Sequence, residues 1–583
     1  MAGEVQSGQG PKVTAGPLLF ALRWRRSLRP FGGHEVGTSP TNRRFRLTIR
    51  IGGTTNSLPE GRTPNLLGIL DSAVIVISLA LVVGAVLRAT GKKQTDAEYF
   101  LAGRDLRWPF VGMSLVASNI SAEHVVGLAG DGYRVGMVTG GFEWMAAWCL
   151  IILASLFAPL YLRSGIYTIP EFLERRFGWG LRAFLSGNLL VMNVLTKNAI
   201  DLWAGSLLLA LLFGWNQVAV MIGLSIFTAL YTMKGGLRAV VYADMVQGTW
   251  LIVSSIVLTI AGLTAIGGWT GLTGRVDSSL LHMVKPLDSE LPITGFLIGN
   301  LFGGMFYWCM DQTNVQRVLG ARSVDQGQKG AIFAGFLKLL IPFILVLPGV
   351  IAHALYPDLP KADMAYPRLV SDLLPVGLRG LVLAGLVAIL MSSMSACYNA
   401  SATLVVRDFF MHWKPGLSDQ DQVVIGRRVT VLMASLGVFA APLVGLSVTI
   451  WHYLQMVSAY LSVPLGAVIF VGLLWKRGNT AGAIAGGAAG FGFGLLLFLD
   501  ETLGWGLVAH PYLTSFLHRS ILVWLLAAIT MVVVSLLTAP PPAYKVRGNV
   551  FASAPKQSLG SMDYRIWAGV LFTCTLVLWW AFR

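Results

Sequence analysis

Ser114-Leu-Val-Ala-Ser-Asn-Ile-Ser-Ala-Glu-His-Val-Val-Gly-Leu-Ala-Gly130 decides how the chain is read. The stretch is apolar enough to enter a bilayer. Its middle nevertheless carries Ser118, Asn119, Ser121, Glu123 and His124, and it ends in Gly127 and Gly130. An unpaired polar group in hydrocarbon costs about 2–7 kcal/mol, so a plain anchor would not hold this polarity at mid-depth. The expectation is a helix that breaks near Asn119–Ser121 and turns freed carbonyls toward a bound ion.

Composition places the break in context. Of 583 residues, 55% are hydrophobic and 12% charged, with mean hydropathy +0.67. Soluble domains carry about 25% charged residues, so the chain reads as an all-α polytopic membrane protein with about 14 spans. The 66 glycines suit close helix packing in lipid. A net charge of +16 invites a nucleic-acid reading. The charges sit in short loops and in the N-terminal tail, however, where loop charges set topology, and no nucleic-acid partner is expected. Cys149, Cys309, Cys397 and Cys574 all fall inside apolar runs, so neither a disulfide set nor a thiolate metal site is expected.

Residues 1–64 are Arg-, Gly- and Ser-rich and read as a disordered basic tail; residues 65–583 form the membrane domain. Lys and Arg concentrate in alternate loops, 88–107, 163–182, 234–238, 316–329, 407–428, 476–477 and 539–565, which places these loops together on the cytoplasmic side. Both termini then lie outside. The Arg-rich tail runs against that rule, which counts against its being native. The runs starting near 108 and 292 both carry candidate breaks, Asn119–Ser121 and Gly303-Gly304, five spans apart. Interrupted spans at matching positions point to inverted repeats with the site where the breaks meet. The expected division is a helix at 68–88, repeats over 108–266 and 292–475, and three C-terminal helices over 479–582.

Several residues are candidates for chemistry, each with a bland alternative. Carbonyls of Ala117 and Ile120 face a cation while Asn119 braces the break or touches substrate; otherwise Asn119 glues two helices. Ser392, Ser393 and Ser395 supply hard oxygens to a small cation, or ease helix packing. Glu143 costs about 2.5–3.5 kcal/mol in a span unless it meets a partner or water. It accepts hydrogen bonds from a polyol, or pairs with His124 or Arg134. Lys338 donates to hydroxyls or pairs with Glu143, against snorkelling to a span end. Tyr307 and Trp308 gate a substrate, or belong to an interfacial belt. Asp201 holds a second cation or a proton, or pairs with Lys197. Gln455 suits hydroxyls, or serves as packing glue. A lone membrane His such as His124 is more often simply hydrogen-bonded than a pH switch. No phosphate loop, metal-spaced set or nucleophile–base pair is present, so no enzyme is expected.

The chain resembles the sodium:solute symporters, and among them the sodium/glucose and galactose-type cotransporters. The resemblance rests on Tyr99-Phe-Leu-Ala-Gly-Arg104, Ala117-Ser-Asn-Ile-Ser-Ala-Glu123, Gly141-Phe-Glu-Trp144, Tyr167-Thr-Ile-Pro-Glu-Phe172 and Gly235-Gly-Leu-Arg-Ala-Val240. It continues through Tyr307-Trp308, Gln316-Arg317, Phe336-Leu-Lys338, Met391-Ser-Ser393, Tyr453-Leu-Gln455 and Trp475-Lys-Arg477. It implies a leucine-transporter-like fold of two inverted five-helix repeats. It implies sodium bound by the Ala117, Ile120 and Ile389 carbonyls and the Ser392 and Ser393 hydroxyls. Sugar contacts fall to Asn119, His124, Glu143, Lys338 and Gln455, with Tyr307 as inner gate. Three departures stand out. Gly304 replaces a polar residue of sugar-transporting relatives, and His124 matches the human carriers rather than the bacterial galactose type. A second sodium would use Asp201 and Ser395, but Ala396 replaces a hydroxyl found in some members.

The expected function is sodium-driven symport of a neutral hexose-like sugar across the plasma (inner) membrane, with no obligate protein partner. The alternatives are another polyol or an acidic sugar (myo-inositol, a sialic acid), or a membrane sensor without net transport.

Overall fold

The structure, a computed structural model, describes residues 68–89, 95–121, 123–446, 449–503, 505–506, 513, 515–551 and 563–583. All fall in one compact unit, Thr63–Arg583. The expected basic tail, 1–64, lies outside the described residues. Among those residues there is no β-strand, only an isolated bridge between Leu106 and Ala321. A chain this apolar must satisfy its backbone polar groups within each segment, and the helix does so.

The helices around the interior, numbered in chain order, are α1 (Ile69–Ala89), α2 (Trp108–Asn119), α3 (Ala129–Val135), α4 (Gly141–Ile152) and α5 (Gln217–Ile266). They continue with α6 (Leu301–Cys309), α7 (Gln312–Leu319), α8 (Val324–Ile341), α9 (Leu347–Leu355) and α10 (Leu378–Leu404). The last are α11 (Ile450–Leu461), α12 (Val463–Leu474) and α13 (Phe516–Leu537). Among the described residues nine helices are long and apolar enough to cross a bilayer, or ten if the bent pair α11–α12, hinged by 46°, is one span. Other apolar runs are cut by bends into shorter helices.

Two interruptions organise the interior. α2 stops at Asn119, and Ile120 turns extended at φ −74°, ψ 120°. A wide helical turn over Glu123–Leu128 then restarts the helix into α3. The second break lies at Met310–Asp311, not at Gly303-Gly304 as the glycine pair suggested. α6 runs unbroken through both glycines and ends at Cys309. Met310 leaves the helical region (φ −133°), and the Asp311 carboxylate caps α7 by accepting from Thr313 N at 2.7 Å. The glycines serve packing instead: a Cβ at Gly304 would stand 2.9 Å from Cys149 Sγ on α4.

The loops sort to two ends. At one, basic loops meet each other. Arg176 donates to the carbonyls of Gly472, Trp475 and Gly478. Arg182 pairs with Asp408 at 2.8 Å, and Arg407 with Asp96 at 3.1 Å. At the other, Arg134 grips Glu290 at 2.6 Å, and the Tyr133 hydroxyl donates to the Pro357 carbonyl at 2.7 Å. These are the alternate sets that loop charge assigned to opposite faces.

Close backbone approach locks α3 to α9. A Cβ at Gly349 would lie 2.0 Å from the Ala129 carbonyl oxygen, and one at Gly132 would lie 2.4 Å from the Val346 carbonyl oxygen. Neither neighbour is a flexible side-chain tip. Gly349→Ala is therefore expected to destabilise by about 1–3 kcal/mol through overpacking, read as a lowered Tm of purified protein in detergent.

Candidate substrate and sodium site

The α2 break, α4, α6 and α11 surround a cavity of roughly 740 Å³, counting its open mouth. Asn119, His124, Glu143, Tyr307, Trp308 and Gln455 all line it. Lys338 lies behind the wall, fully buried on α8. Its ammonium donates to Glu143 Oε2 at 2.5 Å and to Asn119 Oδ1, and it stands 5.2 Å from the Trp308 ring centre. Asn119 passes the chain of bonds on, donating from Nδ2 to the Tyr307 hydroxyl at 2.8 Å. His124 Nε2 stands 3.4 Å from the other Glu143 oxygen, and Nδ1 stands 3.6 Å from Glu123. The Glu143–Lys338 pair balances one charge with another, which is how a carboxylate survives at this depth.

Three aromatics absent from the sequence-based candidates cover the cavity. Phe142 meets Trp451 at 5.5 Å and lies parallel to Phe516 at 6.5 Å, while Trp451 meets the His124 ring at 5.1 Å. Asn300, Ser458 and Ser520 add polar atoms to the lining. Beyond the aromatics lies an ionic layer. His452 stands 3.7 Å from Glu290 and 3.5 Å from Glu501, and Arg519 stands 3.4 Å from Glu501. Burial pushes the Glu290 carboxyl up, but the Arg134 guanidinium and His452 outweigh it and hold it down at about 2. Burial and the nearby Asp131 carboxylate push Asp363, in the same outer cluster, up to about 7.

The candidate cation ligands sit one step deeper. Ala117, Ile120, Ile389, Ser392, Ser393 and Ser395 are all at most 2% exposed. Ala117 and Ile120 occupy the end of α2, where carbonyls run out of intrahelical N–H partners. Ile389 and the serines belong to α10, which packs on α2. The Ser392 hydroxyl donates to Asp244, and Ser395 donates back to the Ser392 carbonyl at 2.9 Å. Asp201 is buried within electrostatic reach of Glu123 and Cys397. Lys197, its sequence-suggested partner, donates to both Asp311 oxygens at 3.2 Å.

Residues 99–490 match the sodium:solute symporter family. The chain belongs to that family. It is 34% identical to the bovine sodium/myo-inositol cotransporter over 84% of this chain and 76% of that one. It is 32% identical to the sodium/glucose cotransporter of Vibrio parahaemolyticus over 87% of this chain and 98% of that one. A solved Na+-coupled sialic acid symporter, in a substrate-bound outward-open state, shares the fold with TM-score 0.71 and 20% identity, over 81% of this chain and 99% of that one. The symporter is thus a sodium-coupled multi-pass membrane transporter and not an enzyme.

Deleting one half of a buried pair strands the other charge, at a cost of about 3–5 kcal/mol. Lys338→Met is expected to lower Tm sharply. The double variant Glu143→Gln/Lys338→Met is expected to recover much of the loss, since no lone carboxylate remains; Tm of the wild type, Lys338→Met, Glu143→Gln and the double variant checks this.

Proposed function

We propose that the symporter carries a neutral polyol, a hexose or cyclitol, inward with sodium across the plasma membrane. The observation that carries the reading is the charge of the cavity. Among its described lining residues there is no lysine or arginine. The nearest cation, Lys338, is occupied by Glu143 and Asn119. A carboxylated solute would lack a counter-charge, whereas hydroxyls match the Glu143 carboxylate, the Gln455 amide and the Asn300 and Ser458 side chains. The aromatic faces of Trp451 and Phe142 suit the C–H face of a ring.

In this reading Asn119, His124, Glu143, Gln455 and, through Glu143, Lys338 hold the solute, while Tyr307, tied to Asn119, closes the inner side. Sodium binds the Ala117, Ile120 and Ile389 carbonyls with the Ser392 and Ser393 hydroxyls. A second sodium or a proton at Asp201 and Ser395 belongs to the same proposal, as do two inverted five-helix repeats within about 14 spans. Sodium completes the end of α2, which fixes Asn119 and with it the Tyr307 and Lys338 contacts. The coupling is therefore a shared helix terminus. Each sodium crossing 100 mV adds about 2.3 kcal/mol, besides its concentration term.

The cyclitol choice has its own support. A Cβ at Gly303 would meet Val463 Cγ2 at 3.7 Å and one at Gly304 the Cys149 sulfur, so the stretch of α6 ahead of Tyr307 offers the solute no side chain at these two positions. Uptake into sealed proteoliposomes, with inward sodium or choline gradients, tests the function across glucose, galactose, myo-inositol and a sialic acid. Sodium-dependent uptake of at least one neutral polyol, with none of the sialic acid, is expected. Sodium-independent uptake of all, or substrate binding without counterflow, would contradict it.

A further inference from the structure

The ionic layer beyond the aromatics is a chain of charges with a histidine in its middle. On one side Arg134 is held by Asp131 at 3.3 Å and by both oxygens of Glu290, at 2.6 and 2.8 Å. On the other side Arg519 stands 3.4 Å from Glu501 and 3.8 Å from Asp500. Among the described residues, the ion pairs of these two halves meet at His452. Its Nδ1 stands 3.7 Å from Glu290 and its Nε2 3.5 Å from Glu501. The partners come from separate elements. Arg134 lies on α3 and Glu290 in the chain before α6, while Glu501 lies on the helix Thr480–Leu503 and Arg519 on α13.

A ring between two carboxylates must carry two protons. A neutral imidazole has one N–H and one lone pair, and an ionised carboxylate only accepts. Glu290 already accepts from Arg134, and Glu501 accepts from the Tyr460 hydroxyl at 2.6 Å and from Arg519. Both His452 contacts are therefore favourable only in the imidazolium. Without the second proton a ring lone pair faces a carboxylate oxygen, and one of the two contacts turns repulsive.

His452 also stands where such a link can hold a gate. It lies in the first turn of α11, next to Trp451, which covers the cavity beside Phe142 and His124. α11 meets α12 at a 46° bend, and the residues at such a joint can absorb a hinge motion. At the far end from this hinge the Thr449 hydroxyl donates to Asp131 at 3.0 Å, and the Phe516 ring meets His452 edge-on at 5.8 Å. Of the other titratable groups here, His518 meets Thr294 Oγ1 at 2.8 Å, and Asp363 faces Asp131.

We propose that His452 is the proton-binding site of an outer latch: its imidazolium ties Glu290 to Glu501 and keeps α11 closed over the cavity, and loss of that proton frees α11 to swing outward. External alkali then favours an outward-open cavity, and external acid a closed one. The latch does not depend on which solute or ion the cavity takes.

The test reads opening directly. Ser458→Cys places a thiol on the cavity wall, and a membrane-impermeant methanethiosulfonate is added to intact cells in choline, from neutral to alkaline pH. The protein without this cysteine gives the background. The thiol's own titration is common to every reporter, so rates are taken relative to a reporter that also carries His452→Lys, a charge fixed in this range. Relative labelling of the His452 reporter should rise about fivefold from neutral to alkaline pH, the worth of one such contact. The reporter with His452→Gln should label fast throughout, with no step of its own. If His452→Lys does not fold, His452→Gln is the reference, and the His452 reporter should approach it as pH rises. Asp363 is the competing origin of a pH effect, since its carboxyl sits at about 7 beside Asp131. Asp363→Asn should keep the step. Relative labelling indifferent to pH would overturn the proposal, as would a step that survives His452→Gln or one that vanishes with Asp363→Asn.

Discussion

A backbone carbonyl inside a bilayer must find a partner. The interior follows from where that rule is left to something other than the next turn of helix. α2 gives up its ladder at Asn119, and Ile120 turns extended at a depth where water is scarce. The cost of that end is tolerable only because side chains from distant helices converge on it. Asn119 is held by Lys338 and Tyr307, Ser114 by Asp244, and α10 lies alongside with three serines. The second interruption, at Met310–Asp311, is satisfied differently, by a carboxylate cap that also binds Lys197. One break is closed by the protein's own anion; the other is where the proposed sodium would bind.

Charge inside the molecule is arranged in pairs that cross between helices. Glu143 with Lys338 joins α4 to α8, and Lys197 with Asp311 reaches the start of α7. Both pairs touch Tyr307 or its partner Asn119, since Lys197 also sits 5.0 Å from the Tyr307 ring. A shift at the α2 end is thus felt by both pairs and by the aromatic between them. Towards the outer end, aromatics and then the Arg134–Glu290–His452–Glu501–Arg519 layer cover the cavity. At the basic end, Arg182–Asp408 and Arg407–Asp96 hold the loops. In the proposed transport cycle these layers open in turn while the α2 end stays intact.

Much of this was legible in the sequence, because polarity at mid-depth is expensive and therefore visible. Asn119, His124, Glu143 and Lys338 announce themselves against an apolar background, and the structure gathers them around one cavity. Loop charge likewise sorted the loops into the two sets that meet at opposite ends. Other features carry no such mark. Phe142, Trp451 and Phe516 are apolar residues within apolar runs, and only tertiary packing makes a lid of them. Gly303-Gly304 misled because glycine both breaks helices and lets them approach, and here the tight contact with Cys149 favours approach. Asp244 carried the same signal as Asp201, an acid within a span. What singles it out is its bond to Ser392, almost 150 residues away in the chain.

The central claim is that the end of α2 and the serines of α10 enclose sodium. The most direct measurement is a pair of high-resolution cryo-electron microscopy maps of the protein in lipid nanodiscs, one in sodium with myo-inositol or glucose, one in choline. The account predicts compact density among the Ala117, Ile120 and Ile389 carbonyls and the Ser392 and Ser393 hydroxyls in sodium, lost in choline. A helix running unbroken through Ile120, or sodium-dependent density only elsewhere, would contradict it.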